Sequence, residues 1–284
     1  MSIKLILLDL DGTLLTSDKQ ISPANYAALE RCAASGIHIV PSTGRFYGGM
    51  PQVVRDLPFV RYIVAVNGAQ VYDVKEDKVL CREGISLDAA FRVFDEMDKL
   101  PVIYDCYMGG FGYDYVDMYE CIDEFISDPR VNAMVKGTRK PVPDLRAFLR
   151  EQGRPLQKIQ MFFKDMDRRA AELERLPGLF PDLTVTSSII NNIEINAKNA
   201  NKGEALRFLC RYLGLDVSES MSFGDSGNDL SMIVAAGTGV AMANADRALL
   251  DAADYVTDTN DNDGVAKAIA RFCFHNNAFL PRGG

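Results

Sequence analysis

Leu5-Ile6-Leu7-Leu8-Asp9-Leu10-Asp11-Gly12-Thr13 decides the fold of this chain. Residues 3–8 are an apolar run that stops at Asp9, with a turn-permitting Gly12 just beyond, which is the pattern of a strand buried on both faces of a parallel sheet. Downstream, Ser22-Pro23 reads as an N-cap followed by Pro at the first helical position. Tyr26, Leu29 and Ala33 give that helix its apolar stripe, and Gly36 ends it. Residues 37–40 read as a second strand tipped by Ser42-Thr43-Gly44-Arg45, and Tyr62–Ala65 as a third, tipped by Asn67-Gly68. A β-α-β-α-β order implies parallel strands joined by right-handed crossovers.

The rhythm changes after about residue 80. Residues 71–73 and 79–81 read as a small hairpin. Residues 102–122 are dense in Tyr and Gly, and strands are expected at 158–163, 183–186 and 192–195 between helical patterns. The βα rhythm returns near residue 200, with a helix over 202–213, strands at 220–224, 238–241 and 254–257, and a final helix over 264–272. The fold class is therefore α/β. A Rossmann-like open parallel sheet is built from residues 1–82 and 197–284, and an α+β domain is inserted at 83–196. The tail from His275 is expected to be weakly ordered.

Composition narrows the function. The chain has 284 residues, 48% of them hydrophobic and 25% charged, as in ordinary globular proteins. A net charge of −8 disfavours nucleic acid and anionic membranes, whose phosphates need Lys and Arg. Six scattered Cys without a C-x-x-C pair, and only two His, argue against zinc and for reduced core thiols. The short apolar start lacks the features of a signal peptide, and no run approaches the roughly 18 residues of a membrane span. A cytoplasmic location is expected.

Four polar clusters fall at places where open α/β sheets bind ligands, beyond the carboxyl ends of the strands. They are Asp9/Asp11, Thr43, Lys202, and Asp225/Asn228/Asp229. Asp9 and Asp11 in one cleft repel each other and call for a divalent cation, although a D-x-D pair alone is equally a turn. Gly224-Asp225-Ser226-Gly227-Asn228-Asp229 adds oxygen ligands of the kind Mg2+ takes. Capping the next helix needs only one of them. Lys202 at a helix start runs against the helix dipole but suits a phosphate, as do the hydroxyl and amides of Thr43-Gly44. A serine-protease reading of Ser226 needs a His base, and only His38, inside a strand, and His275, in the tail, exist. No P-loop or dinucleotide fingerprint is present.

Together the segments resemble the haloacid dehalogenase (HAD) superfamily, specifically its Cof-type class IIB branch with an inserted α+β (C2B) cap. The resemblance rests on Asp9-Leu10-Asp11-Gly12-Thr13, Ser42-Thr43-Gly44-Arg45, Lys202-Gly203 and Gly224–Asp229, with Asn67-Gly68-Ala69 and Met242–Ala245 in support. It implies a Mg2+-dependent phosphatase with an aspartyl-phosphate intermediate. Asp9 would be the nucleophile and Asp11 the proton carrier, whereas dehalogenases of the superfamily lack that second Asp. Asp9, the Asp11 backbone carbonyl and Asp225 would hold the metal. Thr43 and Lys202 would hold the phosphoryl oxygens, although Ser42 is also placed to do so. Asn228 and Asp229 would orient the metal side and Lys202, while Gly44, Arg45 and Asn67 would lie at the phosphate or substrate rim.

The expected substrate is a small phosphate ester such as a sugar phosphate, and the expected state a monomer or weak homo-oligomer. A phosphosugar mutase or phosphotransferase on the same chemistry, or a non-catalytic phosphosugar-binding module, are the alternatives. The aromatics between Tyr104 and Tyr119 either grip a substrate ring or form the cap's own core.

Overall fold

The computed structural model describes residues 2–274, so the expectation about the tail, with His275, lies outside the described residues. Strands follow in chain order as β1 Leu5–Leu8, β2 His38–Pro41, β3 Tyr62–Ala65, β4 Gln70–Asp73, β5 Lys78–Arg82, β6 Val102–Met108, β7 Phe111–Tyr115, β8 Arg139–Val142, β9 Lys158–Phe163, β10 Leu183–Thr186, β11 Asn192–Ala197, β12 Ser220–Gly224, β13 Thr238–Ala241 and β14 Tyr255–Val256. The chain divides into two units. One takes the residues up to 45, 50–81 and those from 201 on, and the other takes 46–49 and 82–200.

In the first unit the sheet order is β14-β13-β12-β1-β2, with every neighbouring pair parallel. β1 sits between strands from opposite ends of the chain, with Leu7 level with Val40 on one side and Ser222 on the other. Its four residues are fully buried. Leu5 and Leu7 share a cluster with Val40, Val64, Leu206, Leu209 and Met232. Burial of each such side chain stabilises by about 1.5–3 kcal/mol, which is why an uninterrupted apolar run fits only here. The helix Lys202–Leu213 begins at Asn201, whose side chain accepts from the Glu204 amide, and ends at a left-handed Gly214.

β3 departs from the expected third parallel strand. It runs parallel to β2's edge through the isolated bridges Ile39–Val60 and Ser42–Val64, but it belongs to a separate sheet in the order β3-β4-β5, in which β4 runs antiparallel to it. The turn at its end sets the antiparallel course of β4. Val66 (φ 50°), Asn67 (φ 55°) and Gly68 (φ 97°) are all left-handed and send the chain straight back.

The second unit is a sheet in the order β10-β11-β9-β6-β7-β8, antiparallel except for the parallel pair β7–β8. One face carries Tyr104, Cys106, Ile159, Met161, Ile193 and Ile195 against Val93, Phe94 and Leu149 of flanking helices. Tyr104 stacks on Phe94 at 5.0 Å and Tyr113 packs tilted against Phe148 at 4.8 Å between ring centroids, so these aromatics build that core. Tyr107 faces the other way, beside Lys158 and Arg139. No helix among the described residues is long and apolar enough to cross a membrane.

Candidate active site

Asp9 follows directly on β1 and is anchored by its amide to the Phe223 carbonyl. Its Oδ1 lies 2.5 Å from Lys202 Nζ, and the same ammonium lies 2.5 Å from Asp229 Oδ1. Lys202 and Asp229 are fully buried and Asp9 is 7% exposed. Burial alone would strip Lys202 of its proton, but Asp229 and then Asp9 outweigh it and hold the ammonium charged. Burial pushes Asp9 well up, Asp229 adds to that, and Lys202 only partly offsets them. Asp229 is fully committed, because its Oδ2 also accepts from the amides of Asp225 and Ser226 and so ties the loop after β12 to Lys202.

Asp225 lies at the tip of β12. Its Oδ1 accepts from the Thr13 hydroxyl at 2.6 Å and its Oδ2 from the Ser226 hydroxyl at 2.8 Å. Gly12 makes this approach possible: its φ is +84°, and a Cβ there would sit 2.5 Å from Asp225 Oδ2. Burial, then Asp229, push the Asp225 carboxyl up to about 6. Asp9, Asp225 and Asp229 each offer a carboxylate oxygen within 4.8 Å of the others. Three hard oxygen donors carry three negative charges when ionised, against the single charge of Lys202. The remainder suits a small divalent cation.

The Asp11 carboxylate stands apart from that trio. Arg45 donates to its Oδ2 from Nε at 2.9 Å and from Nη2 at 2.8 Å, and Lys19 Nζ lies 2.7 Å from its Oδ1. Burial would raise it, but Arg45 and then Lys19 outweigh that and hold the carboxyl below its ordinary range.

Thr43 is buried at the end of the β2 segment, and its hydroxyl oxygen accepts from the Arg45 amide at 3.2 Å. Ser42 is fully buried and its hydroxyl has no hydrogen-bond partner among the described residues. Asn67 is linked to this loop by its amide, which donates to the Thr43 carbonyl, and its Oδ1 accepts from Asn228 Nδ2 at 3.0 Å. A Cβ on Gly44 would lie 2.9 Å from Asn67 Oδ1, so the two tips are in close contact. The left-handed Val66 and Asn67 pair costs on the order of 1–3 kcal/mol per residue, a strain typical of functional tips. Every site residue expected from sequence thus falls within one unit, in three linked groups: Asp9/Lys202/Asp229/Asp225, Asp11/Arg45, and Thr43/Gly44/Asn67/Asn228.

Three participants were not singled out by sequence. Lys19 reaches Asp11 from a loop residue at φ 59°, with no pattern to mark it. Thr13 was visible in the D-x-D-G-T run, but its bond to Asp225 spans 212 residues. Asn244, in the run Met242–Ala245, donates to the Gly12 carbonyl at 2.8 Å and holds the turn after Asp11.

A family model described as haloacid dehalogenase-like hydrolase matches residues 6–269. A Bacillus subtilis protein named Phosphatase YwpJ is 32% identical over 282 residues, covering 93% of this chain and 98% of its own. A second B. subtilis protein, named 5-amino-6-(5-phospho-D-ribitylamino)uracil phosphatase YcsE, is 30% identical over 273 residues, covering 95% of each chain. The solved structure of a haloacid dehalogenase-like hydrolase from B. subtilis superposes with a TM-score of 0.82 at 30% identity, covering 94% of this chain and 99% of that one. The HAD subclass IIB sugar phosphatase BT4131 superposes with a TM-score of 0.81, covering 95% and 98%. At 23% identity, that last match is a likeness of fold.

Proposed function

The chain belongs to the haloacid dehalogenase-like hydrolases and is a phosphatase of that family. From that premise we propose that it hydrolyses phosphomonoesters of small polyhydroxylated metabolites, such as sugar or ribityl phosphates, through an aspartyl-phosphate on Asp9. The observation that carries the reading is the buried Lys202, which spans Asp9 and Asp229 beside Asp225. A nucleophilic carboxylate, a fixed cation and the carboxylates of a metal site meet there. The substrate class draws on a relative whose name specifies a phosphoribityl compound.

Asp9 attacks phosphorus, the ester P–O bond breaks, and the leaving alkoxide takes the proton carried by Asp11. Asp11 then removes a proton from the water that attacks the aspartyl-phosphate, and inorganic phosphate departs. Asp11 serves as the acid only after exchanging Arg45 and Lys19 for the substrate oxygen, since those two hold it ionised. Lys202 and the Thr43 hydroxyl, with the Gly44 amide, hold phosphoryl oxygens, and Arg45, Asn67 and Asn228 line the rim. Asp9, the Asp11 carbonyl and Asp225 would hold Mg2+, with Asp229 fixing the loop behind them. That ion, when bound, neutralises the repulsion between carboxylate and phosphate and the charge of the transition state.

The test is phosphate release from a panel of sugar, polyol and nucleoside phosphates with Mg2+ and with EDTA. Cation-dependent release from the sugar and polyol members, abolished in Asp9→Asn, is expected. An Asp9→Asn variant with full turnover would overturn the nucleophile assignment. Nucleoside phosphates turned over in preference would overturn the substrate class.

A further inference from the structure

The second unit contains a charge imbalance unrelated to phosphate chemistry. The antiparallel register that pairs Cys106 with Tyr113 brings Asp105 of β6 alongside Asp114 of β7. Like charges facing each other across strands are destabilising. Both residues are 3% exposed, and the Oδ1 atom of each is buried without a hydrogen-bond partner. Both line one small cavity, whose other walls include the apolar Ile103, Met118, Ile122 and Phe162.

The surrounding charges leave one negative charge over. From β8, Arg139 Nε donates to Asp105 Oδ2 at 2.9 Å, and from β9, Gln160 donates to the same oxygen at 3.1 Å. The Arg139 side chain reaches Asp105 by lying over Gly112, where a Cβ would come within 2.3 Å of its Cδ. Lys158 of β9 is matched by Glu194 of β11 at 2.7 Å. Tyr107 of β6 lies under the Arg139 guanidinium at 4.8 Å. The helices that face the cavity contribute Met118, Ile122 and Val135, none charged. Arg139 is thus paired with Asp105 and Lys158 with Glu194, and among the described residues Asp114 has no ion-pair partner of its own, only the more distant pull of Arg139.

We propose that Asp105 and Asp114 form a proton-binding dyad, in which Asp114 is a neutral carboxylic acid that donates to Asp105 Oδ1, directly or through a single water in the cavity. One proton balances the charge and satisfies both orphaned oxygens at once. A metal ion does neither well, because the walls are mostly apolar and a hard cation needs about six oxygens. The direction of titration agrees. Burial and then Asp105 push Asp114 up to about 7, while Arg139 draws it back. Burial also raises Asp105, against Arg139. Since the folded chain holds a proton that the unfolded chain releases near 3.8, the dyad's contribution to the cap's stability is fully present below that value and is lost as pH rises toward 7. The dyad belongs to the cap alone and stands whether or not the proposed substrate class does.

The experiment is a carboxyl-carbon NMR titration of the full chain, paired with urea unfolding of wild type and Asp114→Asn between pH 5 and 8 at fixed Mg2+. The amide of that variant mimics the protonated acid. Asp114 is expected to titrate near 7. The wild-type unfolding constant is expected to rise at least tenfold relative to the variant across the range. Asp114 titrating near 4, or parallel unfolding curves, would overturn the dyad. Recovery of wild-type stability at pH 8 by K+ or Na+ but not by choline would overturn it in favour of a metal cation. The NMR titration needs no variant, so the proposal remains testable if Asp114→Asn fails to fold.

Discussion

Lys202 and Asp9, 193 residues apart in sequence, meet at 2.5 Å in a buried contact that also takes in Asp229. A buried ion pair adds little over apolar residues of the same shape, but removing one partner leaves an uncompensated charge. Lys202→Met is therefore expected to cost about 3–5 kcal/mol in urea unfolding. It should also lower kcat for phosphate release by about 10²–10³. A variant that unfolds like wild type would show that the ammonium does not hold these carboxylates together.

Gly12→Ala tests the approach of Asp225. The added methyl meets Asp225 Oδ2 at 2.5 Å and is strained at φ +84°. The variant is expected to stay folded, with a loss of about 1–3 kcal/mol. It should need at least about tenfold more Mg2+ for half-maximal activity, the equivalent of 1.4 kcal/mol in cation binding. Unchanged Mg2+ dependence would sink the idea that Asp225 must lie against the backbone of the Asp9–Gly12 turn.

Asp225 also sets a pH dependence. Its carboxyl is raised from the ordinary 3.8 to about 6, so the cation-free protein loses stability as pH climbs through that interval. Asp9, raised in the same direction, adds to the loss. A divalent cation reverses the slope, because its binding expels the proton. Mg2+ is expected to stabilise the chain by about 2.7 kcal/mol at a hundred times its dissociation constant. That gain should shrink below pH 6 and vanish in Asp225→Asn, as measured by thermal unfolding with and without EDTA.

Asp11→Asn separates chemistry from folding. The Asp11 side chain is 35% exposed and its partners Lys19 and Arg45 are on the rim, so stability should change by less than about 1 kcal/mol. Turnover is expected to drop by about 10²–10⁴, the usual worth of a general acid. Acid quench and phosphate analysis of the protein should find more phosphorylated Asp9 at steady state if the second step is the slower one.

Ser42 and Thr43 form a matched control. The Ser42 hydroxyl is buried without a partner, whereas the Thr43 hydroxyl accepts a turn bond and keeps its own proton to donate. Ser42→Ala should be neutral or stabilising, with activity within about twofold, because it removes an unsatisfied polar group. Thr43→Val should raise KM and lower kcat together. The opposite pattern would move the phosphate contact to Ser42.

Much of this was legible in sequence for one physical reason: buried parallel strands have no choice of composition. The strand ends at Leu8, Gly224 and Ala241, and the helix Lys202–Leu213, fall where apolar runs and caps put them. The HAD assignment likewise followed from short motifs at strand tips, and the family match bears it out. What escaped was long-range or local in ways that patterns do not record. Lys19 reaches Asp11 from an irregular loop, and Thr13 reaches Asp225 across most of the chain. β4 turns back along β3 because three successive residues take left-handed conformations, including a β-branched Val66 that propensity would never nominate.

β1 lies between β2 and β12, with strands from the far end of the chain on one side. During synthesis, Asp9 is therefore made long before anything that can answer its charge. A nascent chain of its first 200 residues carries Asp9, the proposed nucleophile, but neither Lys202 nor the loop that bears Asp225 and Asp229. The last pieces, Asn244 on the Gly12 carbonyl and Asn260 on the Leu15 carbonyl, come later still. Phosphatase activity should therefore switch on in a single step only after β12 and the segment to Asn260 have been made, and truncations that remove β12 should be inert however well the cap folds.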